Sequence, residues 1–300
     1  MRINSPLVSI VVPCYNHERF VKDSIQSIIN QTYENIELII IDDGSIDNSV
    51  LKIKEMIECC NKRFIRFEFR SRPNIGLSAT LNEALEWCEG KYYSALASDD
   101  QMISYKTRIQ VKFLEKNQDV SAVFGGVQLI DEHNIKLEKI LNQMRSYSFK
   151  DILMHKHDLP APTQMIRMED IKKVGGYNPN LYIEDWYMWL KLSQHNRLFY
   201  LDKVFTLYRQ HDNNSSKNLE KMHHARIEVL FLFKDSDFYE KALKNIQWMN
   251  ATERFVSSDK HKMKNISRVI IMNPMKFTYM LTRKIYNQTK SKITKNSFRD

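Results

Sequence analysis

Glycine is scarce, 7 in 300 residues, and Gly44 and Gly76 form neither a G-x-G-x-x-G fingerprint nor a Walker-type loop, which disfavours hydride transfer and ATP hydrolysis. Cysteine is scarcer. Cys14, Cys59, Cys60 and Cys88 have no Cys-x-x-Cys spacing, so zinc and redox motifs of that kind are absent, and the thiols read as reduced, cytosolic and mostly buried. The N-terminus lacks a basic stretch followed by a long apolar run, and no window reaches the ~18 uncharged apolar residues of a membrane span. The expectation is a cytoplasmic protein, neither exported by a signal peptide nor anchored by a span. His155-x-His157 and His223-His224 lack H-E-x-x-H spacing and read as surface residues. Internal repeats and low-complexity tracts are also missing.

What is present is ample apolar material: 43% hydrophobic residues over 300 suffice for an α/β core plus an appendage. The formal charge of +9 is unevenly placed. From Lys221 to Asp300 there are 17 Lys and Arg against 7 Asp and Glu, leaving 28 against 29 before that point. A basic segment beside a neutral body can meet nucleic acid, an anionic membrane face or a partner, and charge alone does not choose. The segment lacks an aromatic-basic recognition motif, so nucleic acid is not an expected partner.

Leu7 to Val12 is a β-branched apolar run halted by Pro13, the pattern of a buried parallel strand. Helical spacing follows from Phe20 to Asn30, then a second apolar run, Ile36 to Ile41, ends at Asp42-Asp43-Gly44-Ser45. This is a β-α-β unit. Asp47 or Ser49 can cap a helix through Glu58, Phe64 to Phe69 reads as a third strand, and Ser78 to Cys88 is a helix with Gly90 as its stop. Tyr92 to Ala97 is a strand ending in Ser98-Asp99-Asp100. A short apolar run at Ala122 to Ile130 and a helical segment near Phe149 to His155 precede Glu184-Asp185-Trp186. Alternating strands and helices predict a mostly parallel, Rossmann-like α/β sheet flanked by helices over residues 1–217, with a basic helical region over 218–300.

In such a sheet the ligand crevice lies beyond the carboxyl ends of the strands. Asp42-Asp43 and Asp99-Asp100 both sit at strand ends, so they would converge there. Clustered carboxylates repel unless a cation or hydrogen-bond donors compensate them; solvated loop acids are the plainer alternative. Mg2+ or Mn2+ suits the crevice, because it takes one or two carboxylates plus substrate phosphate oxygens. A nucleotide diphosphate is then the implied substrate, with a metal stabilising the charge on its leaving group.

The residues Val8-Ser9-Ile10-Val11-Val12-Pro13-Cys14-Tyr15-Asn16, Ile41-Asp42-Asp43-Gly44-Ser45, Asn74-Ile75-Gly76-Leu77, Ser98-Asp99-Asp100, Val174-Gly175-Gly176-Tyr177, Glu184-Asp185-Trp186 and Tyr208-Arg209-Gln210-His211 resemble family 2 of the glycosyltransferases, in the GT-A fold. The ordered set spans about residues 7 to 216. The resemblance implies an inverting transferase that moves a sugar from a UDP-sugar to an acceptor hydroxyl, with Mn2+ or Mg2+ as cofactor. Tyr15 matches the tyrosine that stacks on uracil and Asp43 the acid that reads its N3–H, with Pro13 and Asn16 lining the pocket. Arg72 and Asn74 match positions that contact the nucleotide, and Gly76 one where the backbone comes close.

In the family's D-x-D-type motif, Asp99 with Ser98 would face the ribose and sugar while Asp100 ligates the metal. Many relatives place a leading aspartate where this chain has Ala97, so the site rests on Ser98-Asp99-Asp100. Asp185, beside Glu184, stands in the place of the general base; a helix N-terminal acid pair serving the macrodipole is the alternative. Arg209 would meet the diphosphate, and His211 would join the metal. The acceptor is expected to be a saccharide, lipid-linked in surface-polysaccharide synthesis. It would be met by about residues Ser146 to Tyr182, with donor selectivity set by loops such as Pro160 to Arg167. The basic C-terminal helices, Arg268 to Lys284 among them, would lie peripherally on the inner face of the cytoplasmic membrane, or else pack on the body or a partner. A nucleotidyltransferase and a non-catalytic nucleotide-sugar binding module on the same fold are the competing readings.

Overall fold

The computed structural model describes residues 5–212, 214 and 217–257, and the chain divides into two units on either side of the Asn218–Leu219 bond. Arg268 to Lys284, expected to face a membrane, lies outside the described residues. No described helix is long and apolar enough to cross a membrane.

The first unit opens with β1 (Val8–Cys14), α1 (Val21–Ile29), β2 (Ile36–Asp43), α2 (Ser49–Lys54), α3 (Ile57–Arg63), β3 (Arg66–Arg72), α4 (Leu77–Trp87) and β4 (Tyr92–Ala95). It continues through β5 (Gln101–Met102), α5 (Lys106–Lys116), β6 (Val120–Ile130), β7 (Lys136–Ile140) and β8 (Arg145–Tyr147). Then come α6 (Phe149–Leu153), β9 (Met165–Arg167), α7 (Met168–Lys173), α8 (Glu184–Ser193) and β10 (Arg197–Arg209). The helix expected to run through Glu58 is instead broken between α2 and α3, and Asp47 accepts a bond from Ser49 N at 2.9 Å rather than capping a continuous helix.

All strands join one sheet in the order β3-β2-β1-β4-β9-β6-β10-β5, with β7 on β6 and β8 on β10. The half β3-β2-β1-β4 is parallel throughout. Short β9 then runs antiparallel to both β4 and β6, and β10 is again parallel to β6. The apolar runs of β1 and β2 are buried along almost their whole length because helices cover both faces. Glu37 interrupts β2 without harm: Ser9 Oγ, Arg66 and the N–H groups of Glu89 and Gly90 satisfy its buried carboxylate. From β1 the chain passes to β2 on one side and later to β4 on the other, so the order reverses at β1 and a crevice opens at the carboxyl ends of these strands.

Pro160 to Arg167, expected as a specificity loop, is a 3-10 turn (Ala161–Thr163) followed by β9 in the middle of the sheet. Arg167 is buried and donates to the carbonyls of Val120, Leu114 and Asn117. It fastens the fold.

The second unit holds α9 (Leu219–Phe231) and α10 (Tyr239–Ser257). His223, expected at the surface, is buried between them: its Nε2 meets Glu253 at 2.8 Å, and Arg226 bonds the same carboxylate at 2.7 Å.

Candidate active site

At the carboxyl end of β1 come Pro13 and then an exposed Tyr15, 48% accessible. Asn16 adopts a left-handed φ of 55°. Its N–H donates to Ser45 Oγ at 2.8 Å, and its side-chain oxygen accepts from Ile46 N at 2.9 Å, which ties the loop after β1 to the loop after β2.

Asp43, the last residue of β2, is buried and accepts from Ile75 N at 2.8 Å and Gly76 N at 3.0 Å. Asn74 Nδ2 holds the Asp43 carbonyl at 2.8 Å. Gly76 has φ 89° and ψ 157°, a region open only to glycine, and thereby starts α4 with its amide aimed at the carboxylate. A Cβ there would meet nothing within 4 Å, so conformation rather than crowding requires the glycine. At Gly44 crowding matters too, since a Cβ would fall 2.6 Å from Asn74 N.

Arg72, expected to contact the nucleotide, is engaged by protein instead: Asp43 accepts from Nη1, Glu83 from Nε at 2.7 Å and Thr80 from Nη2 at 2.8 Å. It holds Asp43 in place. A carboxylate has about four acceptor positions, so these three donors leave Asp43 able to accept one more hydrogen bond.

The second cluster lies at the end of β4. Asp99 is 7% exposed, and its Oδ2 meets His211 Nε2 at 2.8 Å and His17 Nε2 at 3.9 Å. His17 Nδ1 in turn meets Ser98 Oγ at 2.7 Å. Burial pushes the Asp99 carboxyl up, but the hydrogen bond from His211 and the nearby imidazoles hold it below the usual carboxylate range. Asp100 moves the other way: burial and the Asp99 charge lift it well above that range, and the Arg209 N–H, at 2.9 Å from Oδ1, only partly offsets them. Its Oδ2 is buried and accepts no hydrogen bond among the described residues.

A buried carboxylate oxygen without a donor is a place for a cation. Asp99 Oδ2 and His211 Nε2 are further ligand atoms suited to a divalent cation, in a cluster with His17 whose donor atoms lie within 4.8 Å of one another. The expected pairing is altered, because His211 approaches Asp99 rather than Asp100.

Arg209, expected at the diphosphate, is fully buried. Its guanidinium donates to the Asp99 carbonyl at 2.7 Å, the Asp131 carbonyl at 3.1 Å, Asn134 at 2.9 Å and Asp23 at 3.3 Å, and packs 4.6 Å over the Phe20 ring. Side chain and backbone of Arg209 fasten the Asp99-Asp100 turn. His17 was missed by sequence reasoning. The only available signal was its place directly after Tyr15-Asn16.

Glu184 and Asp185 form the first turn of α8. Asp185 accepts from Trp186 N at 2.5 Å, and burial lifts its carboxyl to about 6 despite that bond. Burial and the Asp185 charge lift Glu184 to about 8. Trp186 donates to the Ile152 carbonyl at 3.0 Å, packing α8 on α6. The His155 ring lies 5.0 Å from Trp186 and stacks on His157 at 4.8 Å. His157 is partly buried, and both its ring nitrogens are buried and unbonded among the described residues. Burial holds it neutral, with its pKa pulled down to about 3.

A Rossmann-like mixed sheet with an acid-tipped crevice at its switch point defines the GT-A class of fold. The family model "Glycosyl transferase family 2" matches residues 9–175, and the chain belongs to that family. An Escherichia coli relative, UDP-Glc:alpha-D-GlcNAc-diphosphoundecaprenol beta-1,3-glucosyltransferase WfgD, is 28% identical over 246 residues, covering 81% of this chain and 90% of its own length. An uncharacterised glycosyltransferase of Rickettsia bellii is 30% identical over 229 residues, covering 74% of this chain. It is much longer, and the match spans only 31% of it. Among solved structures, Staphylococcus aureus TarS 1-349 in complex with UDP-GlcNAc superposes with a TM-score of 0.63 over 89% of this chain and 79% of its own, at 17% identity. That likeness concerns the fold.

Proposed function

We propose that the chain transfers one sugar from a UDP-sugar to a hydroxyl of a saccharide acceptor, with inversion at the anomeric carbon. The observation that carries this reading is the His211–Asp99 pair at 2.8 Å, followed directly in the chain by Asp100 with its buried, donor-less Oδ2, beyond the carboxyl end of the strand next to β1. Tyr15 stacks on the base, Asp43 accepts the base N–H, and Asn16, Asn74 and Gly76 shape the pocket. UDP is favoured because WfgD is named for UDP-Glc and TarS is seen with UDP-GlcNAc. The diphosphoundecaprenol acceptor in the name of WfgD favours a lipid-linked saccharide here too.

Asp99, Asp100 and His211 would hold a divalent cation, which when bound neutralises the charge growing on the departing diphosphate. Asp185 takes the proton from the acceptor hydroxyl as its oxygen bonds the anomeric carbon. The bond from that carbon to the diphosphate oxygen breaks, and UDP leaves with the electron pair. Glu184, held protonated near neutral pH, keeps a second negative charge away from the base.

The test is slow UDP release across a panel of UDP-sugars, with a GDP-sugar and a dTDP-sugar alongside, for wild type and Asp100→Ala. Release from one UDP-sugar, abolished by EDTA and in the variant, is the expected result. Release from another nucleotide sugar would replace the base assignment. Nucleotide-sugar binding without release would favour the non-catalytic binding module, and neither binding nor release would overturn the reading.

A further inference from the structure

His17 stands outside every motif on which the cation reading rests, yet its ring is aimed into the same place. Its main-chain N–H donates to Ser49 Oγ at 2.9 Å, and its Nδ1 meets Ser98 Oγ at 2.7 Å. One contact comes from the first turn of α2 and the other from the residue preceding Asp99, so backbone and ring are anchored by separate elements. An imidazole with Nδ1 engaged in this way presents Nε2 as a ligand atom of fixed direction.

That Nε2 lies 3.9 Å from Asp99 Oδ2, too far for a hydrogen bond, while His211 Nε2 reaches the same oxygen at 2.8 Å. One donor atom from each of His17, Asp99 and His211 lies within 4.8 Å of the other two. The two rings meet edge-on at 5.7 Å, and both pack on Phe20, at 6.2 and 5.2 Å. Phe20 itself lies under the Arg209 guanidinium. The arrangement is braced by packing from behind.

We propose that His17 is a direct ligand of the divalent cation, and that the resulting two-imidazole set selects Mn2+ over Mg2+. The inference rests on the proposed cation at Asp99, Asp100 and His211. Its physical basis is ligand type: Mg2+ favours oxygen donors and keeps its waters, whereas first-row transition ions, Mn2+ the weakest of them, accept imidazole nitrogen more readily than Mg2+ does. A site of carboxylates and phosphates alone would hold either ion. Each added nitrogen tilts the balance toward Mn2+.

The experiment titrates Mn2+ into the full chain by electron paramagnetic resonance, with and without UDP, and then competes it with Mg2+. Pulsed spectra count the nitrogens bound to Mn2+. Wild type should show two histidine nitrogens. His17→Ala should show one, with Mn2+ bound at least ~10-fold more weakly and a smaller preference over Mg2+. His17→Gln, which retains a polar side chain, should match His17→Ala and replaces it if the alanine variant does not fold. Ser98→Ala, which removes only the partner of Nδ1, should keep both nitrogens; a structural role for His17 would leave the nitrogen count unchanged in every variant. Two nitrogens and wild-type affinity in His17→Ala or His17→Gln would overturn the inference. One nitrogen in wild type, unaltered in the variants, would also remove His17 while leaving the cation reading standing. No Mn2+ binding by wild type would end both.

Discussion

Asp185 and Glu184 share the first turn of α8, where burial has driven both carboxyls upward, to about 6 and about 8. A general base must be ionised, so the sign is set: lowering the pH through about 6 protonates Asp185 and removes activity. The expected kcat/KM profile has an acid limb near pH 6, and Asp185→Asn lowers kcat by ~10²–10⁴ and abolishes the limb. A limb at the ordinary carboxylate value, or one retained in the variant, would deny Asp185 the role. Residue types were largely legible at this scale, because aspartates at strand ends stand out from apolar runs. Partners were not: no spacing rule puts His211 on Asp99, or an arginine 110 positions away on its carbonyl.

β10 went unread in the sequence although it supplies the wall behind the site. It is a 13-residue strand containing Asp202 and Lys203, with register shifts against β6 on either side of Val204. Those irregularities break the alternation from which strands are recognised. Its last residue, Arg209, binds the Asp99 carbonyl, the 131–134 turn and Asp23 at once. Arg209→Met should therefore lose ~3–5 kcal/mol of stability in urea, the usual effect of removing one partner from a buried ionic network. The same variant should bind Mn2+ more weakly while Tyr15 and Asp43 still bind UDP. Unchanged stability would mean that the turn is held by other contacts. β9 was equally hidden, since three residues carry no period of their own, and only pairing with β4 and β6 makes Met165–Arg167 a central strand.

At the scale of the whole molecule, the core of the described residues accepts one lysine amine. Lys106 is fully buried, donating to Ser94 Oγ at 2.6 Å and the Gln164 carbonyl at 3.1 Å, and burial pulls its pKa down to about 7. A lysine depressed in the folded state binds fewer protons than in the unfolded chain between about pH 7 and the ordinary lysine value, so stability rises with pH in that window. Relative to Lys106→Met, wild type should gain about 1.4 kcal/mol per pH unit there. Urea unfolding of both proteins at several alkaline pH values reads this directly, and parallel curves would contradict it. From sequence alone came the parallel half of the sheet, the crevice at its carboxyl ends and the acids that tip it, because apolar runs, breakers and strand-end carboxylates are local patterns. Tertiary structure alone decided the antiparallel insertion of β9, the inward turn of Arg72 and Arg209, and the meeting of His17 with Asp99 and His211. Those depend on contacts between residues far apart in the chain, which local pattern does not encode.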